Sequence, residues 1–122
     1  MNINTNNYSI IEIIRMLERR ELVVNSSYQR GSGLWPVGAC SYFIDTILED
    51  YPFPKIYMYE QIHIPTGEIR KELVDGQQRI KAITRYHNNE FAITGESAYT
   101  GLRFDDLDEE AQAQFLWRYH GN

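Results

Sequence analysis

Between the apolar borders Leu73-Val74 and Ile80, the chain sets an acid, a glycine, two amides and a guanidinium side by side: Asp75-Gly76-Gln77-Gln78-Arg79. At a junction from strand to helix such a run is suited to holding an anion. The first helical N–H groups there lack backbone partners, and the helix dipole is positive. Gly76 lets a ligand come close to the backbone, Gln77 and Gln78 offer neutral amide donors, and Arg79 offers a planar fork matched to phosphate oxygens. The set fits a polyphosphate. The competing reading is structural: Asp75 caps the helix, Gly76 makes the turn, and Gln77, Gln78 and Arg79 are solvated first-turn residues. A second break in periodicity is the run from Tyr28 to Trp35, with Gly31 and Gly33 inside it. Tyr28 and Trp35 are the aromatics that could stack on a base there, although aromatics beside an apolar helix commonly belong to the core.

The elements that must position these residues follow from periodicity. Ser9 and Glu12 fit a capping box ahead of Ile10, Ile13, Ile14 and Leu17, which recur at helical spacing. Glu21 to Val24 reads as a short strand. Pro36 suits a first turn, and Val37, Cys40, Phe43, Ile44, Ile47 and Leu48 make an amphipathic helix that stops before Pro52 and Pro54. Lys55 to Ile64 alternates as a strand, and the Pro65-Thr66-Gly67 turn returns it through Glu68 to Val74 as a hairpin. Gln77 to His87 then forms a helix with Ile80, Ile83, Thr84 and His87 on one face, ended by Asn88-Asn89. Phe91 to Thr94 is predicted as a short strand, Gly95 to Gly101 as a loop, and Asp106 as the cap of a last helix from Leu107 to Tyr119. In that helix Leu107, Ala111, Phe115 and Tyr119 recur every four residues, with Leu116 beside them. Asp108, Glu109, Glu110, Gln112 and Arg118 form the polar remainder, and Trp117 is left over as an outward aromatic, a candidate self-association surface. The pattern predicts one α+β domain over 1–122, a small mixed sheet built around the hairpin with helices packed on it.

Totals narrow the function. A chain of 122 residues is one domain by length and can bury roughly two-thirds of its unfolded surface. Its formal charge of −5 opposes a sequence-blind grip on DNA or an anionic membrane over the whole surface, so any nucleic-acid contact must be local. The single cysteine, Cys40, excludes an internal disulfide and a thiolate metal cluster, and it lies in an apolar helical pattern as a core thiol would. His63, His87 and His120 have no metal-ligand spacing, so no metal site is expected. The N-terminus lacks a signal pattern and no apolar run approaches the ~18 residues of a membrane span, which implies a cytoplasmic protein without a membrane partner.

One resemblance sharpens this reading. Val74-Asp75-Gly76-Gln77-Gln78-Arg79-Ile80, with Tyr28-Gln29-Arg30 and Trp35 upstream and Phe91 and Phe104-Asp105-Asp106-Leu107 downstream, resembles the N-terminal domain of the GmrSD-type restriction endonucleases over roughly Ser9 to Tyr119. That family is similar to the ParB and sulfiredoxin-like fold, whose glycine-rich strand-to-helix turn binds nucleotide phosphates. The resemblance implies a nucleoside triphosphate ligand, carried with Mg²⁺, held by Asp75, Gly76, Gln77, Gln78 and Arg79, with Gln29 and Arg30 on the facing loop. It implies a role in licensing cleavage of modified, usually phage, DNA. If the nucleotide is hydrolysed, Asp75 and Arg79 are the catalytic candidates, with Glu72 the other nearby carboxylate. The nuclease of such systems is a separate C-terminal domain, and the asparagine and arginine motif that follows in the family lies beyond Asn122. No nuclease activity is therefore expected from this chain alone, and DNA is expected only indirectly or through a partner domain. The alternative is a ParB-like DNA-binding or protein-interaction module without catalysis. The turn contains no cysteine, which argues against sulfiredoxin redox chemistry.

Overall fold

The computed structural model describes residues 2–4, 8–24, 34–53 and 57–118. In chain order the elements are β1 (Asn2–Asn4), α1 (Ile10–Glu18), β2 (Leu22–Val24), α2 (Val37–Leu48), β3 (Tyr57–His63), β4 (Glu68–Asp75), α3 (Gln77–His87), a 3-10 turn (Phe104–Asp106) and α4 (Glu109–Leu116). The four strands form one mixed sheet in the order β1-β3-β4-β2. β3 and β4 are the expected antiparallel hairpin, from Tyr57 opposite Asp75 to His63 opposite Glu68. β2 runs parallel to β4, with Leu22 opposite Lys71 and Val24 opposite Leu73. β1, which no periodicity announced, adds antiparallel to β3. The architecture is the α+β class expected from the pattern. Gly67 turns the hairpin at φ 71°, and the Glu68 N–H donates to the Thr66 hydroxyl at 3.3 Å.

Local chemistry sets the helix ends. Ser9 and Glu12 form the capping box, with the Ser9 N–H donating to the Glu12 carboxylate at 3.0 Å. The last turn of α1 closes as a Schellman motif: Arg20 N–H to Leu17 O at 3.1 Å and Glu21 N–H to Met16 O at 2.8 Å. α2 and α3 end the same way, so three non-glycine residues, Arg20, Asp50 and Asn89, hold left-handed φ values of 61°, 65° and 62°. Pro36 sits one position earlier than expected, as the N-cap of α2, and its carbonyl accepts from Ala39 and Cys40.

Two expectations fail at the C-terminal end. Phe91 to Thr94 is not a strand. Its backbone bonds go elsewhere: Thr94 N–H to the buried Ser41 hydroxyl at 2.8 Å, Ile93 N–H to Leu102 O at 3.1 Å, and Ile93 O to Gly101 N–H at 2.7 Å. Nor does Asp106 cap the last helix. It closes a 3-10 turn onto the Arg103 N–H at 3.0 Å, Leu107 goes extended, and Asp108 caps α4 by accepting from Ala111 at 2.8 Å. Tyr119, the expected end of that helix, lies outside the described residues.

The core gathers where α3 meets the returning C-terminal segment. Ile80 and Ile83 are buried as expected, whereas Thr84 and His87 stay partly open and Tyr86 is fully buried. The Tyr86 ring lies 5.4 Å from Phe91, 5.7 Å from Phe115 and 6.3 Å from Phe104, and its hydroxyl donates to Leu102 O at 3.1 Å. Burial pushes this phenol above its ordinary pKa, and the Asp106 carboxylate adds to the shift. Because the folded value is raised, the contribution to stability is complete below the unfolded phenol's pKa of about 10 and is lost as pH climbs through and beyond it. Tyr86→Phe is therefore expected to cost about 1 kcal/mol at neutral pH and to flatten the alkaline side of a melting-temperature profile. An unchanged slope above pH 10 would refute the assignment. Phe115 is fully buried while Trp117 is 66% exposed. Phe115→Ala should cost about 3–5 kcal/mol and Trp117→Glu less than about 0.5 kcal/mol, as read by denaturant titration.

Candidate functional site

The Asp75-to-Arg79 run stands at the turn from β4 into α3. Asp75 is the last residue of β4, and Gly76 rather than Asp75 occupies the N-cap, at φ 86° and ψ 17°. The capping role expected for Asp75 is thus filled by a residue without a side chain, because the chain needs a left-handed step to leave the strand and enter the helix. The Asp75 side chain, like Gln29 and Arg30, lies outside what is described. Gly76 and Gln77 are buried, while Gln78 and Arg79 are partly open. Gln77 is therefore not the solvated first-turn residue of the structural reading, and Gln78 is only partly so.

Gln78 has a defined partner. Its side-chain oxygen accepts from the Trp35 N–H at 3.1 Å. Two turns further along α3, the Arg85 guanidinium donates to the Trp35 carbonyl at 3.1 Å and approaches the Cys40 sulfur at 3.1 Å. Seven residues bring Gln78 and Arg85 onto one stripe of the helix, so α3 grips both polar groups of a single residue. Arg85 also lies over the Phe91 ring at 5.7 Å. Cys40 is buried, and desolvation raises its pKa more than the Arg85 charge lowers it, which leaves an inert thiol as the sequence indicated.

The held Trp35 forms one wall of a cleft of about 590 Å³ whose other lining includes Tyr42, Phe43 and Thr46 of α2, Tyr51-Pro52-Phe53 after it, and Arg79 of α3. Trp35 meets Phe43 edge to face at 6.1 Å, and Phe43 meets Phe53 at 5.4 Å. Tyr42 and Tyr51 are 79% and 61% exposed. The wall after α2 is fixed by Arg118, which the periodicity placed in a polar remainder. Its guanidinium pairs with Asp50 at 3.2 Å, donates to Ile47 O at 3.1 Å and to Tyr51 O, and lies 5.3 Å from the Phe53 ring centre. Chemically, the cleft offers flat aromatic faces with one guanidinium at its side. Among the described residues no group of His, Cys, Asp or Glu converges as metal ligands.

Sequence reasoning singled out Trp35 and Arg79, which the structure brings to one cleft. It missed Arg85, Arg118, Tyr42 and Tyr51. The seven-residue spacing of Gln78 and Arg85 beside the apolar face of α3 was a usable signal for the first, and the aromatic-proline-aromatic run after α2 for the last. Arg118 had none, because its contacts are some seventy residues away in sequence.

Comparison with known proteins adds one finding. The family model described as GmrSD restriction endonuclease, N-terminal domain, matches residues 10–120. No curated protein and no solved structure matches the chain.

Arg85→Leu keeps most of the packing volume and removes both contacts to Trp35 and Cys40. It should cost about 1.5–3 kcal/mol, the range for a hydrogen bond to a charged group, and shift Trp35 emission to the red in a Trp117→Phe background. An unchanged melt and spectrum would show that α3 does not hold this wall.

Proposed function

The chain belongs to the family of the GmrSD restriction endonuclease N-terminal domain, and on that premise we propose that its aromatic cleft and the adjoining Gly76 turn bind a nucleoside triphosphate. The observation that carries the reading is the position of Arg79, one turn from the left-handed Gly76 and on the lining of a cleft walled by Trp35, Phe43 and Phe53. In this reading the phosphates lie toward the start of α3. Arg79 supplies the fork and the helix dipole adds a favourable potential. The base lies against the aromatic wall, where stacking is worth roughly 1–3 kcal/mol. Gln78 orients the site rather than contacting the ligand through its oxygen, since that atom holds Trp35. Gln29 and Arg30, which lie outside the described residues, are the remaining candidates for the phosphate side that the family resemblance names.

Mg²⁺ enters as the triphosphate's own counterion, because no set of protein ligands is gathered for it among the described residues. The proposal is of binding. Asp75, and Glu72 on β4, are the carboxylates to test for a hydrolytic step. In the wider reading the bound nucleotide licenses a partner nuclease domain to cut modified phage DNA, a regulatory task suited to a site whose walls come from three separate segments.

A ligand that binds only the folded state at a hundredfold excess over its Kd adds about 2.7 kcal/mol, which is a readable thermal shift. A panel of the common nucleoside triphosphates with Mg²⁺ should contain at least one that shifts the melt. With Trp117 replaced by Phe, the same triphosphate should quench Trp35, and Arg79→Ala should abolish both effects while leaving the unliganded melt nearly unchanged. If no triphosphate at millimolar concentration moves the melt or the emission, the cleft is not a nucleotide site.

A further inference from the structure

α2 presents one stripe to the aromatic cleft. Ala39, Tyr42, Phe43 and Thr46 line it, and their spacing of three and four places them on one face of the helix. At the start of that stripe stands the α3 side of the site, where Gln78 accepts the Trp35 N–H and Arg79 joins the lining. From the N-cap Pro36 to Thr46 the helix rises roughly 15 Å. Thr46 therefore belongs to the far end of the cleft, where its carbonyl accepts the Tyr51 N–H at 2.9 Å. In the nucleotide reading the phosphates lie near Arg79, and this far end is the base end.

Most hydrogen-bonding groups at that end are already spent. Ile47 O accepts from Arg118 at 3.1 Å, Leu48 O from Gln114 at 3.0 Å, and Tyr51 O from Arg118. The Tyr42 and Tyr51 phenols belong to side chains that stand largely in solvent at the mouth, where water competes for them. The Thr46 hydroxyl is part-exposed on the wall itself, and its proton is committed: it donates to Tyr42 O at 2.9 Å, the bond a helical threonine makes to the carbonyl one turn earlier. A hydroxyl carries one proton and two lone pairs, so with the proton held inside the helix Thr46 shows the cleft an acceptor. A ligand N–H is met without rearrangement. A ligand acceptor is met only by turning the hydroxyl off Tyr42 O, at the loss of that bond.

We propose that Thr46 is the base-reading residue of the cleft: its hydroxyl oxygen accepts an N–H from the edge of the base and so turns that edge toward α2. This rests on the nucleotide reading of the same cleft and adds the polar contact which that reading lacks. Stacking on Trp35, Phe43 or Phe53 holds a base by its face and leaves it free to turn in its own plane, since every base has a π-face. One acceptor on the wall removes that freedom. Adenine and cytosine bring an exocyclic amino group to it, uracil a ring N–H and guanine both, whereas a ring without an edge donor leaves the Thr46 lone pairs facing a C–H or another acceptor.

Isothermal titration calorimetry tests this by comparing each triphosphate that binds with an analogue stripped of its edge donors: purine ribonucleoside triphosphate for ATP and GTP, pyrimidin-2-one ribonucleoside triphosphate for CTP and UTP, all with Mg²⁺. The analogue keeps the charge, the sugar and the stacking face, so general damage to the cleft lowers both members of a pair and leaves their ratio alone. With the unmodified chain the parent should bind about fivefold tighter than its analogue, the worth of one neutral hydrogen bond. Thr46→Ser, which keeps the hydroxyl, should hold that ratio. Thr46→Val, which keeps the branched shape without the oxygen, should bring it within about twofold. Equal binding of parent and analogue by the unmodified chain, or an undiminished ratio in Thr46→Val, would overturn the assignment while leaving the nucleotide site in place. If none of the four parent triphosphates binds, the nucleotide reading itself falls and the role of Thr46 with it.

Discussion

The α3 helix holds Trp35 by its backbone, accepting its N–H with Gln78 and donating to its carbonyl with Arg85, and the geometry of the cleft depends on that grip. Trp35 stands just ahead of α2, so no helix of its own fixes its peptide, and its N–H and C=O must find partners or water. By supplying both partners from one stripe of α3, the fold ties the residue before α2 to the helix that leaves the sheet at Gly76. The Trp35 wall of the cleft is thereby anchored to α3. Satisfied in this way the pair of bonds orders the site, whereas loss of Gln78 leaves a part-buried N–H and loss of Arg85 leaves the carbonyl with only the long contact from the Cys40 thiol at 3.7 Å.

The same helix carries the core on its other side. Tyr86 gathers Phe91, Phe104 and Phe115 around its ring, and these aromatics are what bring the irregular segment after α3 back across the domain. The segment includes Arg118, whose carbonyl accepts the Ile10 N–H at 2.8 Å and whose guanidinium reaches the end of α2 and the Tyr51 carbonyl. One residue thus ties the start of α1, the end of α2 and the far wall of the cleft. Both walls are set by arginines that are themselves hydrogen-bonded and stacked on rings, Arg85 on Phe91 and Arg118 on Phe53.

The arginines divide by surroundings. Arg85 and Arg118 are consumed by the architecture, Arg79 lines the cleft, and Arg19 and Arg20 after α1 and Arg70 on β4 stand in solvent.

The sequence by itself determined the elements whose signals are local. The Ser9–Glu12 capping box, the hairpin around Gly67 and the Gly76 entry to α3 are readable because the groups that make them lie within a few residues of one another, and the α+β class follows from their order. The corner with Arg79 was legible for the same reason, as was Cys40 as a core thiol. What only the tertiary structure decided are the pairings across long separations. β1 has no apolar alternation of its own and forms a strand because β3 offers an edge. Phe91 to Thr94 has a strand's composition but gives its backbone bonds to Ser41, Gly101 and Leu102. Gln78 gained a structural role through its amide oxygen, which accepts from Trp35, and Arg85 and Arg118 became the two clamps of the cleft. Each of these depends on which backbone carbonyl or N–H is left without a partner once the helices have packed, and that is a property of the assembled layers rather than of any window of sequence.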